Sequence, residues 1–179
     1  MLLGANDAAI PIPTNTQGIP IEQYKENLTK IITHDRIKAH SPKILLVTPP
    51  PLDEIRLTKL DLAEGHRECT RRAAVSAAYS EAARQVAAAV SGVTLIDLHK
   101  AVMEKAISLT ADFDASGPPL GHPEGKRGAL ETLIPDGLHM NGDAYKVFFD
   151  LVKPHIGPLP TTKEGYVFPD WRQIHPGSL

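Results

Sequence analysis

Two patterns of apolar residues alternate along this chain. Some apolar residues form continuous runs, and others recur every three or four positions, as on one face of a helix. Two continuous runs, residues 43–48 and 93–98, are rich in β-branched side chains, and three prolines follow the first. Apolar side chains at successive positions predict strands covered on both faces, as in a parallel sheet between helices. Leu2 and Leu3, just ahead of Gly4, resemble the end of a third such strand.

Helical spacing predicts four helices between and after these runs. The first begins at Pro20, an alanine-rich helix covers residues 67–90, a short one covers 99–109, and the last covers 141–155. Glycines and prolines in residues 112–130 predict a long loop. The apolar faces of the first and last helices contain Ile21, Tyr24, Leu28, Ile31, Ile32, Tyr145, Phe148, Phe149 and Val152.

The alternation of strands and helices predicts an α/β domain in which helices cover both faces of a parallel sheet. The 179 residues are enough for one such domain. We expect the domain to cover residues 1–157. A proline-rich tail, residues 158–179, is expected to pack on it through Tyr166, Phe168 and Trp171.

Composition and charge narrow the class of protein. A net charge of −2 provides no basic field for nucleic acid or an anionic membrane surface. No apolar run approaches the ~18 residues that span a bilayer, and no apolar signal-peptide region follows Met1. The single cysteine, Cys69, excludes an intramolecular disulfide and is expected to be an inert helical residue. These features favour a cytoplasmic protein.

Two motifs near opposite ends of the chain carry candidate chemistry. Asp136 precedes His139 by three residues, a spacing that lets the carboxylate fix the tautomer of the ring. Asn6, in a Gly-Ala-Asn-Asp element after the first strand, offers a neutral amide donor to a developing oxyanion. Each motif also fits an ordinary turn, with His139 as a capping or core residue. Their occurrence in one α/β chain favours the catalytic interpretation.

Taken together, the sequence resembles the SGNH, or GDSL-type, hydrolases and, within them, the fungal isoamyl acetate-hydrolysing esterases. The resemblance implies a flavodoxin-like three-layer α/β/α fold and hydrolysis of small acetate-type esters without a cofactor or a metal. Further residues that carry it are Tyr24, Asn27, residues 44–51, Asp53, Glu54, residues 93–98, Ala144, Tyr145, Pro169 and Trp171.

The resemblance also implies the role of each candidate site residue. His139 corresponds to the general base and Asp136 to the carboxylate that orients it. Asn6 corresponds to the side-chain oxyanion donor, and Gly4 shapes the turn that presents it at the oxyanion-binding position.

The nucleophile of this family is a serine in a Gly-Asp-Ser element, and these 179 residues contain no such element. The family also has a second glycine whose backbone N–H donates to the oxyanion, and no residue of this sequence corresponds to it. We therefore expect an SGNH domain without its first strands and helix, nearly inactive alone. The serines of the chain are expected on helix surfaces or in loops, and only Ser116 lies in a loop able to approach His139.

Three interpretations remain open: a truncated esterase, a non-catalytic pseudoenzyme or interaction module, and a hydrolase in which Asp136 and His139 activate water. Ester preference and oligomeric state do not follow from the sequence. Six further arginines and histidines are expected to be solvated and to bind neither metal nor nucleic acid. They are Arg67, Arg71 and Arg72, His99 and His155, and His122.

Overall fold

A parallel sheet forms the centre of the protein, whose computed structural model describes residues 1–157. Strand β1 (Ile44–Val47) pairs with β2 (Val93–Ile96) in parallel, with Ile44 opposite Val93 and Val47 opposite Ile96. Residues 1–3, the edge segment, lie on the other side of β1. There Leu2 forms a parallel bridge with Val47, whose N–H donates to the Met1 carbonyl at 2.9 Å. The prediction of a parallel sheet is confirmed.

Helices cover both faces of this sheet. On one face α1 (Ile21–Ile32) and α4 (Ala73–Ala89) pack around Leu46, and the rings of Tyr24 and Tyr79 meet at 5.1 Å between centroids. On the other face α5 (Leu98–Leu109), α6 (Leu130–Leu133) and α7 (Gly142–Val152) pack around Val47 and Ile96. The predicted three-layer α/β/α class is therefore confirmed. The predicted tail lies outside the described residues.

The alanine-rich helix is shorter than predicted, and the sequence pattern misses the helix before it. Helix α3 (Glu54–Ala63) ends ten residues before α4 begins, and an irregular segment separates them. Cys69 lies in this segment, so its assignment to a helix is wrong. Its buried thiol donates to the Arg71 carbonyl at 2.7 Å, and burial raises the pKa of the thiol. The other short elements are α2 (Asp35–Lys38) and a 3-10 helix (Lys153–His155).

Several apolar residues predicted to face the core are exposed. Ile31 is 38% exposed because the buried stripe of α1 follows the i, i+4, i+8 positions Tyr24, Leu28 and Ile32. Tyr145 and Phe149 are each 55% exposed, and Leu2 and Leu3 of the edge segment are also exposed. None of the helices in the described part of the chain is long and apolar enough to cross a membrane.

A buried corner after β1 holds the loop that follows α6. Asp53, fully buried, caps α3 by accepting a hydrogen bond from the Arg56 N–H at 3.1 Å. The other oxygen of its carboxylate accepts from Nε of Arg127 at 2.5 Å. The Asp53 N–H donates to the Gly137 carbonyl at 2.9 Å. These bonds fix the segment around Gly137 at the carboxyl end of β1.

Glu54 extends the same corner toward α4. Its N–H donates to the Gly121 carbonyl at 3.0 Å, and its carboxylate accepts from the Ala73 N–H at 2.8 Å. A carboxylate at the first turn of α4 satisfies a backbone donor that has no partner within the helix. Asp53 and Glu54 together thus tie β1 to α3, α4 and both later loops.

A second polar cluster lies after β2, where Asp97 caps α5 by accepting from the Lys100 N–H at 3.2 Å. Burial alone would raise the pKa of Asp97, but hydrogen bonds from Arg84 and Lys100 outweigh it and hold that pKa below its usual range. The neighbouring His99 is half-buried, so its expected solvation is wrong. Burial, together with the positive charge of Arg84, lowers the pKa of His99 to about 4 against the opposing effect of Asp97.

The lowered pKa of His99 predicts a loss of stability in mild acid. The unfolded chain binds a proton at this ring below about pH 6.5, whereas the folded chain does so only below about pH 4. Since the unfolded state binds more protons between these values, the free energy of unfolding falls as the pH drops from 6.5 to 4. We expect His99→Gln to remove about 1–3 kcal/mol of this loss between pH 7 and pH 4.5, measured by urea denaturation.

The control for this experiment is His40→Gln, at an exposed position outside the cluster. It should keep the acid sensitivity of the unchanged protein. Equal losses of stability in the unchanged chain and in His99→Gln would contradict the assignment.

A glycine substitution tests the corner after β1. Gly137 has φ +90°, and a Cβ there would lie 2.7 Å from the Asp53 carbonyl oxygen and 2.8 Å from the Leu57 nitrogen. Gly65 has a similar φ of +93° with nothing within 4 Å. We expect Gly65→Ala to destabilise by about 1 kcal/mol from backbone strain alone. Gly137→Ala should destabilise by a further ~1–3 kcal/mol in the same urea assay, because overpacking adds to the strain. Similar values for the two variants would refute the close approach.

Candidate active site

The loop between α6 and α7 joins Asp136 to His139 within a single turn. Oδ2 of Asp136 lies 2.7 Å from Nδ1 of His139, and Oδ1 accepts from the N–H groups of Leu138 and His139 at 2.9 and 2.7 Å. Burial alone would raise the pKa of Asp136. The two backbone N–H groups and the His139 ring outweigh this effect and hold the pKa below its usual range.

This geometry leaves one nitrogen of His139 available for proton transfer. The carboxylate of Asp136 accepts a hydrogen bond at Nδ1, which places the proton of the neutral ring there and leaves Nε2 as an acceptor. The His139 side chain is 79% exposed, so Nε2 is accessible to a ligand. The arrangement has the form of a general base oriented by a carboxylate.

The turn after the edge segment presents Asn6. Gly4 is buried with φ +116°, and a Cβ at this position would lie 2.6 Å from Cγ of Pro49 and 2.7 Å from the Tyr24 hydroxyl. Glycine is therefore required both by the backbone conformation and by the space. The Gly4 carbonyl accepts from the Ala8 N–H at 2.9 Å, which closes the turn and leaves Asn6 exposed.

One cavity brings the two motifs together. Asn6 and His139 both line a cavity of about 170 Å³, bordered by Leu2, Leu3 and Tyr145 at the open edge of the sheet. Asp136 borders a neighbouring, more polar cleft of about 480 Å³, which His139 also lines. His139 thus stands between the two cavities.

A further cavity lies elsewhere, between α5 and α7. It measures about 1010 Å³, and none of the four predicted site residues lines it.

The serines of the described chain do not complete this site, since none lines either cavity next to His139. Ser76 and Ser80, expected at the surface, are buried, and their hydroxyls donate to the carbonyls of Pro50 and Pro49 at 3.2 and 3.1 Å. Ser116 donates to the Asp114 carboxylate at 2.7 Å within its own loop.

Arg71 is buried beside Asn6, which corrects its predicted place on a solvated helix face. Arg71 is 8% exposed, and its side chain donates to the Ala5 carbonyl at 3.1 Å and to Oδ1 of Asn6 at 2.9 Å. It also donates to Oε1 of Gln17 at 3.1 Å. Burial lowers the pKa of Arg71, opposed by the negative charge of Asp61.

The sequence pattern carries no signal for this contact. Arg71 precedes α4 in extended backbone and forms an antiparallel bridge with Ala9, whereas the pattern assigns it to a helix. Asp53 could have been found, because an aspartate after prolines and before a helix is typical of an N-cap.

Three possible metal ligands border the polar cleft. Ligand atoms of Asp61, Glu64 and His66 lie within 4.8 Å of one another. Two of these side chains already have protein partners: Asp61 accepts from the Thr70 N–H at 2.6 Å, and Nδ1 of His66 lies 2.7 Å from the Thr14 hydroxyl. The sequence-based prediction that the site uses no metal stays a prediction.

Comparisons with known proteins place this chain in a family. The model of the GDSL-like Lipase/Acylhydrolase family matches residues 1–147, a range that includes Asn6, Asp136 and His139. Two relatives are isoamyl acetate-hydrolyzing esterase 1 homologs, 29% identical in Mus musculus and 25% identical in Bos taurus. Each alignment covers 97% of this chain and 61% of the relative.

A GDSL esterase/lipase of Arabidopsis thaliana is 42% identical over 55 residues, which are 30% of this chain and 23% of the plant protein. The chain thus spans about three fifths of the length of the mammalian relatives that it matches. The family match covers most of the chain and agrees with its three-layer fold and parallel sheet. The chain belongs to the GDSL-like lipase/acylhydrolase family of ester hydrolases.

Proposed function

We propose that this chain carries the general base and the oxyanion donor of a carboxylic ester hydrolase that acts on small, acetate-type esters. The observation that carries the proposal is the shared cavity of Asn6 and His139, which come from opposite ends of the described chain. The mammalian relatives, named as isoamyl acetate-hydrolyzing esterase homologs, support the ester class. The free, buried thiol of Cys69 supports a cytoplasmic location.

The proposed reaction proceeds in two steps. A serine hydroxyl attacks the ester carbonyl while Nε2 of His139 accepts its proton, and Asp136 stabilises the imidazolium. The amide nitrogen of Asn6 donates to the oxyanion of the tetrahedral intermediate. The alcohol leaves with the proton of His139, and water then attacks the acyl-serine by the same route to release the acid.

We propose that the serine comes from polypeptide outside these 179 residues, which packs against the open edge of the sheet. Three observations support this source. The far side of the edge segment pairs with no strand in residues 1–157, and Leu2, Leu3 and Tyr145 are exposed beside the cavity. The mammalian relatives are also longer than this chain.

The expected activity of the chain alone follows from known magnitudes. Removing a catalytic serine lowers kcat by about 10⁶-fold in the subtilisin example, whereas one oxyanion donor contributes about 10²–10³-fold. A well-placed Asn6 therefore does not compensate for the serine.

A non-catalytic role in binding is the second candidate function. It is favoured because, among the described residues, no serine lines either of the two cavities next to His139. When a functional protein leaves a sheet edge exposed, charged residues or proline usually protect that edge. The edge segment, Met-Leu-Leu, contains neither. This unprotected edge favours the esterase proposal over a binding module.

An extended polypeptide tests the proposal. We expect the transcript to encode an in-frame Gly-Asp-Ser element upstream of Met1. The extended protein should hydrolyse p-nitrophenyl acetate, and this chain alone should give only the background rate. In the extended protein, His139→Ala should lower kcat by on the order of 10⁴–10⁶-fold, and Asn6→Ala by about 10²–10³-fold.

His40→Ala, at an exposed position away from the cavity, is the matched histidine control and should keep full activity. An upstream sequence without the Gly-Asp-Ser element would refute the proposed source of the serine. Turnover by this chain alone that His139→Ala abolishes would instead show water activation by the Asp136–His139 pair.

A further inference from the structure

We propose that Arg71 is a positioning residue, which turns the amide of Asn6 so that its nitrogen faces the cavity shared with His139. The inference rests on the proposed role of Asn6 as the oxyanion donor. It assigns a function to a buried side chain that the reaction itself does not use.

The orientation of an asparagine amide decides whether it helps or hinders this reaction. Its two ends are nearly equal in size, but only the nitrogen donates hydrogen bonds. With the nitrogen toward the ester, Asn6 stabilises the developing negative charge. With the oxygen toward the ester, it repels that charge.

Arg71 permits only the favourable orientation. A guanidinium has donors and no acceptor, so Nη2 of Arg71 bonds the Asn6 side chain, at 2.9 Å, only through Oδ1. The reversed amide would place two donors against each other. Nδ2 of Asn6 has no protein acceptor within residues 1–157, and it is therefore free to bind a ligand oxygen.

The guanidinium is itself held in place. Its Nε donates to the Ala5 carbonyl at 3.1 Å, directly before Asn6, and Nη2 also donates to Gln17 at 3.1 Å. The antiparallel bridge between Ala9 and Arg71 fixes the two backbone segments against each other. These contacts orient the donor of Asn6 before any substrate binds, which is the condition for effective oxyanion stabilisation.

The charge of Arg71 is unusual for a purely structural contact. Burying a guanidinium is unfavourable unless it is well hydrogen-bonded, and the negative charge of Asp61 only partly offsets the burial of Arg71. Its acceptors beside Asn6 are a carbonyl and two side-chain amides. A positive donor at Oδ1 polarises the Asn6 amide and makes its N–H groups stronger donors.

The first experiment measures the Asn6 amide in this chain and requires no activity. The ¹H–¹⁵N correlation of the side-chain NH₂ is assigned by its loss in Asn6→Ala, and its heteronuclear NOE reports motion on the ps–ns timescale. We expect an NOE close to that of ordered backbone in the unchanged chain. Arg71→Met should lower it to the value of a freely rotating exposed side chain.

Arg72→Met is the matched control, because Arg72 is the adjacent arginine, is exposed, and pairs with Glu68 rather than with Asn6. It should leave the Asn6 NOE unchanged. Should Arg71→Met fail to fold, Arg71→Lys decides the question. Its single ammonium keeps the charge but does not match the fork of the guanidinium, so the NOE should fall partway. An unchanged NOE in the folded Arg71 variant overturns the proposal.

The second experiment uses the extended esterase and separates positioning from folding. Arg71→Met should lower kcat by about 10–100-fold with KM changed less than about twofold, because the oxyanion donor acts in the transition state. In an Asn6→Ala background the same change should lower kcat by less than about twofold more. A merely structural Arg71 predicts that the two losses multiply.

The two experiments distinguish this proposal from the function on which it rests. An extended protein without esterase activity refutes the proposed function, while the NOE still decides whether Arg71 orients Asn6. An active extended protein that keeps its kcat in Arg71→Met overturns the positioning role.

Discussion

The rest of the structure depends on the hydrogen bonds and the ion pair of the buried Asp53 carboxylate. A charge removed from water must be compensated by hydrogen bonds and an opposite charge, and Asp53 obtains both from the Arg56 N–H and the Arg127 guanidinium. The chain must therefore return to the end of β1 after a long loop. When it returns, the Gly137 carbonyl meets the Asp53 N–H, and this contact places the Asp136–His139 turn beside the sheet.

The two halves of the candidate site are held by different kinds of interaction. The Asp136–His139 half is closed by bonds within four residues and is attached to the core through the Asp53 corner. The Asn6 half depends on the shape of Gly4 and on a donor-only partner, Arg71, from the segment before α4. The halves meet in one cavity because both lie at the same end of the sheet. The Asn6 turn follows the edge segment beside β1, and the Asp136–His139 loop is bonded to Asp53 after β1. This is the usual place for sites in open α/β sheets.

The spacing of apolar residues predicted the strands and helices whose buried faces are apolar. It failed to predict helices in which polar residues are buried. Both strands and the last two long helices appear within a few residues of their predicted bounds. Helix α3 was missed because buried Glu54 and Asp61 interrupt its apolar pattern. The predicted helix over residues 67–90 began too early, since its first residues instead lie in the irregular segment that carries Arg71.

The sequence by itself determined the turn of Asp136 and His139 and the special backbone of Gly4. Both follow from covalent spacing: three residues bring a carboxylate to a ring and to two N–H groups, and only glycine readily adopts the φ of this position. Tertiary structure alone decided the pairing of Arg71 with Asn6, the ion pair of Asp53 with Arg127, and the meeting of Asn6 with His139. These contacts join distant parts of the chain, so their geometry is fixed only when the helices and the sheet pack together.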